Sequence, residues 1–223
     1  MKALRQKPHI DIYRHLAFAT VGGFFASYAI LCRMGVMANA QTMNLVEMVL
    51  AALSGDGHGV MLHLGSLAIY ILGTMLTVFF PRFLHWDPRR VSPLISGAAA
   101  VLLAMIPERV PILVSLYPIF FAMSFQWSAF SGADGYYSST IFSTNNTKQA
   151  SLALAEYFCR RDPAQLRRAR LYALTLLCFH TGAALAFLAV KWWGIPSSLS
   201  ILPAVIWCYV LVRCEDAAEK APV

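Results

Sequence analysis

Charge is scarce in this chain. Only 13% of its 223 residues are Asp, Glu, Lys or Arg, against roughly 25% in an ordinary soluble domain. A water-exposed globule of this size needs more polar cover, which excludes a soluble enzyme, a nucleic-acid binder and a disordered chain. Cysteine chemistry is thin as well. Cys32, Cys159, Cys178, Cys208 and Cys214 stand at no metal or redox spacing and read as small apolar packers. Phosphate loops, metal-ligand clusters, nucleophile elbows and dinucleotide fingerprints are missing, so no cofactor and no enzymatic activity are expected. Apolar residues fill the space: 58% of the chain is hydrophobic, with a mean hydropathy of +0.59.

A bilayer core needs about 20 apolar residues per helix. Six stretches qualify: Leu16 to Val36, Met61 to Phe80, Val91 to Ile106, Ile112 to Phe130, Leu171 to Val190 and Ile195 to Val212. Ala38-Asn39-Ala40 has the form of a leader-cleavage site, but the apolar run before it is long and ends on Arg33, so it is taken as the first span. Two further apolar helices, near Asn44–Leu53 and Asn146–Phe158, are too short to cross alone. Pro118 and Pro203 are expected to kink the fourth and sixth spans.

The net charge of +7 supplies the orientation. With six crossings and the N-terminus inside, the inner side holds fourteen basic residues, from Lys2 to Arg14, Arg82 to Arg90, Arg160 to Arg170, and Arg213 with Lys220. The outer side holds only Arg109 and Lys191. If the short helices also crossed, Arg82, Arg89 and Arg90 would fall outside.

An internal repeat adds to this. Ala40-Gln41-Thr42-Met43-Asn44-Leu45 resembles Phe142-Ser143-Thr144-Asn145-Asn146-Thr147, each after an apolar span and each opening a short helix. A long span follows in both, with Gly73 and Gly182 in comparable places, and a third span closes each half. Three is odd, so the second half enters from the opposite side. The expected fold is an all-α integral membrane protein of six transmembrane helices. They form two inverted three-helix repeats, each with a short extra helix after its first span. A cytoplasmic segment covers 1–15, the repeats 16–108 and 109–213, and a cytoplasmic tail 214–223.

Gly22-Gly23-Phe24-Phe25-Ala26-Ser27-Tyr28, the stretch Ala38 to Asn44, Phe120 to Phe130 with Gln126, and Thr144-Asn145-Asn146 resemble the YoaK family. That is a bacterial six-span membrane family catalogued as a domain of unknown function, and the resemblance covers roughly residues 15–212. It implies a multi-pass protein of the bacterial cytoplasmic (inner) membrane, and the basic-residue count puts both termini in the cytoplasm. The family's hallmark is a Thr-Gly-Asn motif in each half; here Met43 and Asn145 replace the glycines. Ala26 stands where an acidic residue is usual after the Gly-Gly of the first span.

Candidate site residues follow from polarity in apolar surroundings. Inverted repeats of secondary transporters bind their solute at the repeat interface, between broken-helix ends. Thr42, Asn44, Thr144 and Asn146 would line such a site, helped by Asn39 and Gln41. His180, near the middle of the fifth span, is a candidate proton relay or solute contact. Arg33, ending the first span, would draw an anion, and Gln126 gives the fourth span a polar end. The leading expectation is a small-solute transporter or channel, with Arg33 and the helix N-termini favouring a small anion. The alternative is a non-transport scaffold or partner subunit whose broken helices mediate assembly. The partners expected are the lipid bilayer, a small polar or anionic solute and further copies of the chain, with no nucleic acid.

Overall fold

The computed structural model describes residues 10–33 and 37–220. Most of the segment expected to be cytoplasmic at the N-terminus, the end of the first apolar stretch at 34–36 and the last three residues lie outside the described residues. The chain is helical: α1 (Ile10–Cys32), α2 (Gln41–Leu53), α3 (Gly57–Phe79), α4 (Pro88–Met105), α5 (Ile112–Ser115), α6 (Tyr117–Ala129), α7 (Thr144–Arg160), α8 (Pro163–Trp193) and α9 (Leu202–Lys220). A π-turn at Phe80–Leu84 extends α3, and a 3-10 segment at Ile195–Ile201 leads into α9. A small hairpin pairs β1 (Gly132–Ala133) with β2 (Tyr136–Tyr137). Its turn residues Asp134 and Gly135 both take positive φ, at 52° and 76°, as a two-residue type I′ turn requires.

Among the described residues, four helices are long and apolar enough to cross a membrane: Ile10–Cys32, Gly57–Leu84, Pro163–Trp193 and Ile195–Lys220. The third and fourth apolar stretches fold differently. α4 is 18 residues long and opens on Pro88-Arg89-Arg90, while the fourth stretch breaks at Leu116 into a four-residue and a 13-residue helix. Pro118 and Pro203 stand in the first turns of α6 and α9 instead of kinking a helix interior. Their missing N–H groups cost nothing there.

Burial orders the helices. α1 has 61% of its apolar window buried, α3 only 11%. α1 can sit at the centre because Ala19, Gly22, Gly23, Ala26 and Ala29 let neighbours approach its backbone. α8 runs along one side of it, and α9 packs on α1 as well. A Cβ on Gly23 would lie 1.8 Å from the Phe179 carbonyl oxygen, and one on Gly182 would lie 2.0 Å from that of Thr20. α3 lies on α6 through Gly73, where a Cβ would meet Ser124 Oγ at 2.2 Å and the Phe121 carbonyl oxygen at 2.8 Å. α2 packs against α3, α7 against α8, and α4 against α6 and α9. The outer face of α8 carries Arg170, then exposed Leu174, Leu177, Leu185 and Leu188, then Trp192. Arg170 to Trp192 measures about 33 Å at 1.5 Å per residue, close to the thickness of a bilayer core.

An ionic cluster ties the start of α1 and of α4 to the end of α9. Arg14 pairs with Glu215. Arg89 reaches Asp87, Asp216 and Glu219 at 3.2–3.3 Å, and Arg90 meets Asp216 at 2.6 Å. Asp216 is nearly buried, whereas Arg89 and Arg90 remain about a third exposed. Breaking a fully buried pair costs about 3–5 kcal/mol. With part of these guanidinium groups in solvent, Asp216→Ala is expected to cost about 2 kcal/mol. Thermal unfolding in 0.1 M and 1 M salt checks this: the difference from the wild type should shrink at high salt.

Candidate functional site

Residues 138–141 run as non-helical backbone inside the bundle, immediately after the hairpin. Ser138, Ser139, Thr140 and Ile141 are all buried. The approach depends on Gly22, where a Cβ would lie 2.1 Å from the Thr140 carbonyl oxygen. Backbone that leaves the helix loses its internal partners, and in apolar surroundings each orphaned group costs free energy. Asn146 and Asn39 replace some of those backbone partners, and Gln126 and His15 bond the side chains of the segment.

Asn146, in the first turn of α7, contributes most. Its Nδ2 donates to the carbonyls of Ser139 (2.6 Å) and Phe142 (3.2 Å). Its Oδ1 accepts from the Ser139 N–H (3.1 Å) and the Ser138 hydroxyl (3.2 Å). Asn39 donates through Nδ2 to the carbonyls of Gly22 (3.0 Å) and Ile141 (3.2 Å), linking α1 to the segment. Gln126, on α6, donates through Nε2 to the Phe18 carbonyl (3.2 Å) and Thr140 Oγ1 (2.9 Å). Phe18 and Gly22 are one turn apart on α1, so both amides clasp one helix face. His15 completes the group, its Nε2 at 2.8 Å from Ser138 Oγ. Asn39, Gln126, Asn146 and His15 are each at most 1% exposed.

The structure thus gathers Asn39, Gln126 and Asn146 around one segment. The other candidates lie elsewhere. Asn44 and Gln41 belong to a separate cluster where α2 meets α3: Asn44 donates to Gln41 Oε1 (2.8 Å) and the His63 carbonyl (3.1 Å), and its Oδ1 pairs with His63 Nδ1 (2.9 Å). Thr42 and Thr144 are exposed. His180 is exposed on α8, its Nδ1 donating to the Leu176 carbonyl one turn earlier (2.7 Å). Arg33 is buried and donates to the Ile106 carbonyl (3.1 Å) just past the end of α4, where the helix dipole favours a cation.

Sequence reasoning passed over His15 and the Ser138-Ser139-Thr140 run. The signal was present in a polar triplet just after an Asp-Gly turn, between apolar helices. His15 carried none, standing among the polar residues Asp11 and Arg14 at a helix start.

Two clefts flank the hairpin. One, of about 400 Å³, opens onto Ser138, Ser139, Asn145 and Trp127. The other, of about 360 Å³, holds Asp11, Arg14, Asp134 and Glu215. Asp11 accepts the Asp134 backbone N–H at 2.7 Å, and Arg14 donates to the Gly132 carbonyl at 3.3 Å while lying over the Phe130 ring. The hairpin is therefore latched to α1 by the residues that line the second cleft.

The model of one family, described as "Protein of unknown function (DUF1275)", matches residues 15–213. The chain belongs to the DUF1275 family. That family includes YoaK, and the match takes in His15, Asn39, Gln126, residues 138–141 and Asn146 and ends within α9. No curated protein and no solved structure matches the chain. Membership of DUF1275 carries no reaction or ligand with it, so the functional reading rests on the geometry.

Proposed function

We propose that this DUF1275 protein is a small-solute transporter of the bacterial inner membrane, its six spans forming two inverted repeats. Its site lies where residues 138–141 meet α1 and α6. The observation that carries this reading is that non-helical stretch, buried in an apolar bundle and held by Asn39, Gln126 and Asn146. Irregular backbone at membrane depth is tolerated where it is buried in protein or lines a path for solute.

Correspondences between the halves support the inverted arrangement. Gly73 and Gly182 are the close-approach points of α3 and α8, against the carbonyls of Phe121 and Thr20. Seven residues before each glycine, buried Ser66 and Thr175 bond the carbonyl one turn earlier. Packing repeats too: α1 takes α8 and α9, while α6 takes α3 and α4. Each pair matches the other if α1 answers to α6, α3 to α8 and α4 to α9. The basic-residue distribution points the same way.

One observation favours a scaffold instead: the Asn44 and Asn146 side chains are bonded within the chain at both ends. The two readings part in a flux experiment. Proteoliposomes of the full chain are expected to take up at least one probe from a panel of small cations, anions and neutral polar solutes. Gln126→Leu should lower that uptake by about tenfold, losing two bonds at the site. Absence of flux for every probe, from protein that remains folded, supports the scaffold.

A further inference from the structure

Three polar atoms in the buried network have no partner among the described residues: Asn39 Oδ1, Gln126 Oε1 and His15 Nδ1. The orientation of both amides is fixed by their surroundings. Asn39 Nδ2 faces two carbonyl oxygens, and Gln126 Nε2 faces a carbonyl and a hydroxyl oxygen. A carbonyl only accepts, so the nitrogens belong where they are and the free atoms are oxygens. The histidine follows the same logic. Ser138 has one hydroxyl proton and gives it to Asn146 Oδ1, which leaves His15 Nε2 as donor to Ser138 and Nδ1 as a bare lone pair. All three vacancies are acceptors. None is a donor.

We infer that the solute of this site is a small N–H donor of the ammonium class, ammonium itself or a primary alkylammonium, and not an anion. This rests on the transporter reading and narrows it. Desolvated carbonyl-type oxygens repel an anion and stabilise a cation that donates hydrogen bonds to them. The cleft beside the hairpin is an independent pointer. Asp11, Asp134 and Glu215 outnumber Arg14 in its lining, so the cleft itself carries net negative charge on an otherwise basic side of the chain and raises the local concentration of cations. Arg33 and its charge are engaged away from the network, at the end of α4.

The test uses the full chain in lipid nanodiscs and reads thermal unfolding with four probes at equal ionic strength. These are methylammonium chloride, tetramethylammonium chloride, sodium chloride and sodium nitrate. Methylammonium carries three N–H donors, tetramethylammonium the same charge and none. Methylammonium alone is expected to raise the unfolding temperature, with apparent affinity roughly tenfold or more above tetramethylammonium, the worth of one or two hydrogen bonds. Gln126→Leu should abolish the shift. Because that variant also loses an anchoring amide, Asp134→Asn provides a second reading. It leaves the backbone N–H bonded to Asp11 and should weaken methylammonium binding about two- to threefold at low salt and not at high salt. Equal shifts with both ammonium ions, or a shift with nitrate, overturn the donor class while leaving a transporter in place. No shift with any probe, together with no flux of any solute, overturns both readings and leaves the three acceptors to buried water.

Discussion

Gly182→Val is expected to separate α1 from α8 and to cost about 3 kcal/mol or more. A Cβ at this position would fall 2.0 Å from the Thr20 carbonyl oxygen and 2.9 Å from the Phe24 nitrogen. Both are main-chain atoms of α1, the most buried of the four long apolar helices, so no side chain can swing away to make room. Overpacking a flexible core costs about 1–3 kcal/mol, and a rigid backbone contact lies at or above the top of that range. The displacement also carries Gly23 off the Phe179 carbonyl, since the two glycines interlock across one helix pair. Gly73→Ala is the internal comparison. Its nearest neighbour is the Ser124 hydroxyl, which can rotate, and its backbone contact with Phe121 is longer at 2.8 Å. A loss of about 1–2 kcal/mol is expected there. Thermal unfolding in one detergent ranks the two, and equal losses would contradict the interlock.

Asn146→Leu is expected to cost about 3–4 kcal/mol, although the two side chains are similar in volume. It strips partners from the Ser139 N–H, the Ser139 carbonyl, the Phe142 carbonyl and the Ser138 hydroxyl together. Each buried group left unsatisfied costs about 1–3 kcal/mol, and the losses overlap because one segment relaxes. Asn44→Leu removes a comparable number of bonds from a part-buried cluster. Water can replace them there, and about 1 kcal/mol is expected. Amide exchange followed by mass spectrometry separates the two. Asn146→Leu should accelerate exchange across 138–143, and Asn44→Leu should leave that segment protected.

The membrane character and the paths of α1, α3, α8 and α9 were legible because hydropathy measures transfer into an apolar medium, and those helices obey it along their length. The fourth apolar stretch obeyed it too, yet it breaks at Leu116. Hydropathy is blind to where a hydrogen-bond ladder stops. His180 shows another limit. Position along a helix sets depth, while the face a residue takes depends on which neighbours pack there, and His180 looks outward. His15 reads as flanking polarity beside Arg14, yet it is buried and bonds Ser138 just past the hairpin. Asn39, Gln126 and Asn146 stood out as lone amides in apolar sequence. Their convergence depended on the backbone of 138–141, which periodicity does not describe.

The most direct test of a solute path through this site is the aqueous accessibility of Thr140, which is fully buried here. Thr140→Cys is made in a chain whose five native cysteines are replaced by alanine, with Ala186→Cys in the packed core as control. A membrane-impermeant thiosulfonate bearing a trimethylammonium group is added to sealed proteoliposomes. With a solute path through the segment, Thr140→Cys is modified within minutes and Ala186→Cys is not. Thr140→Cys as unreactive as the control would contradict a solute path through this segment.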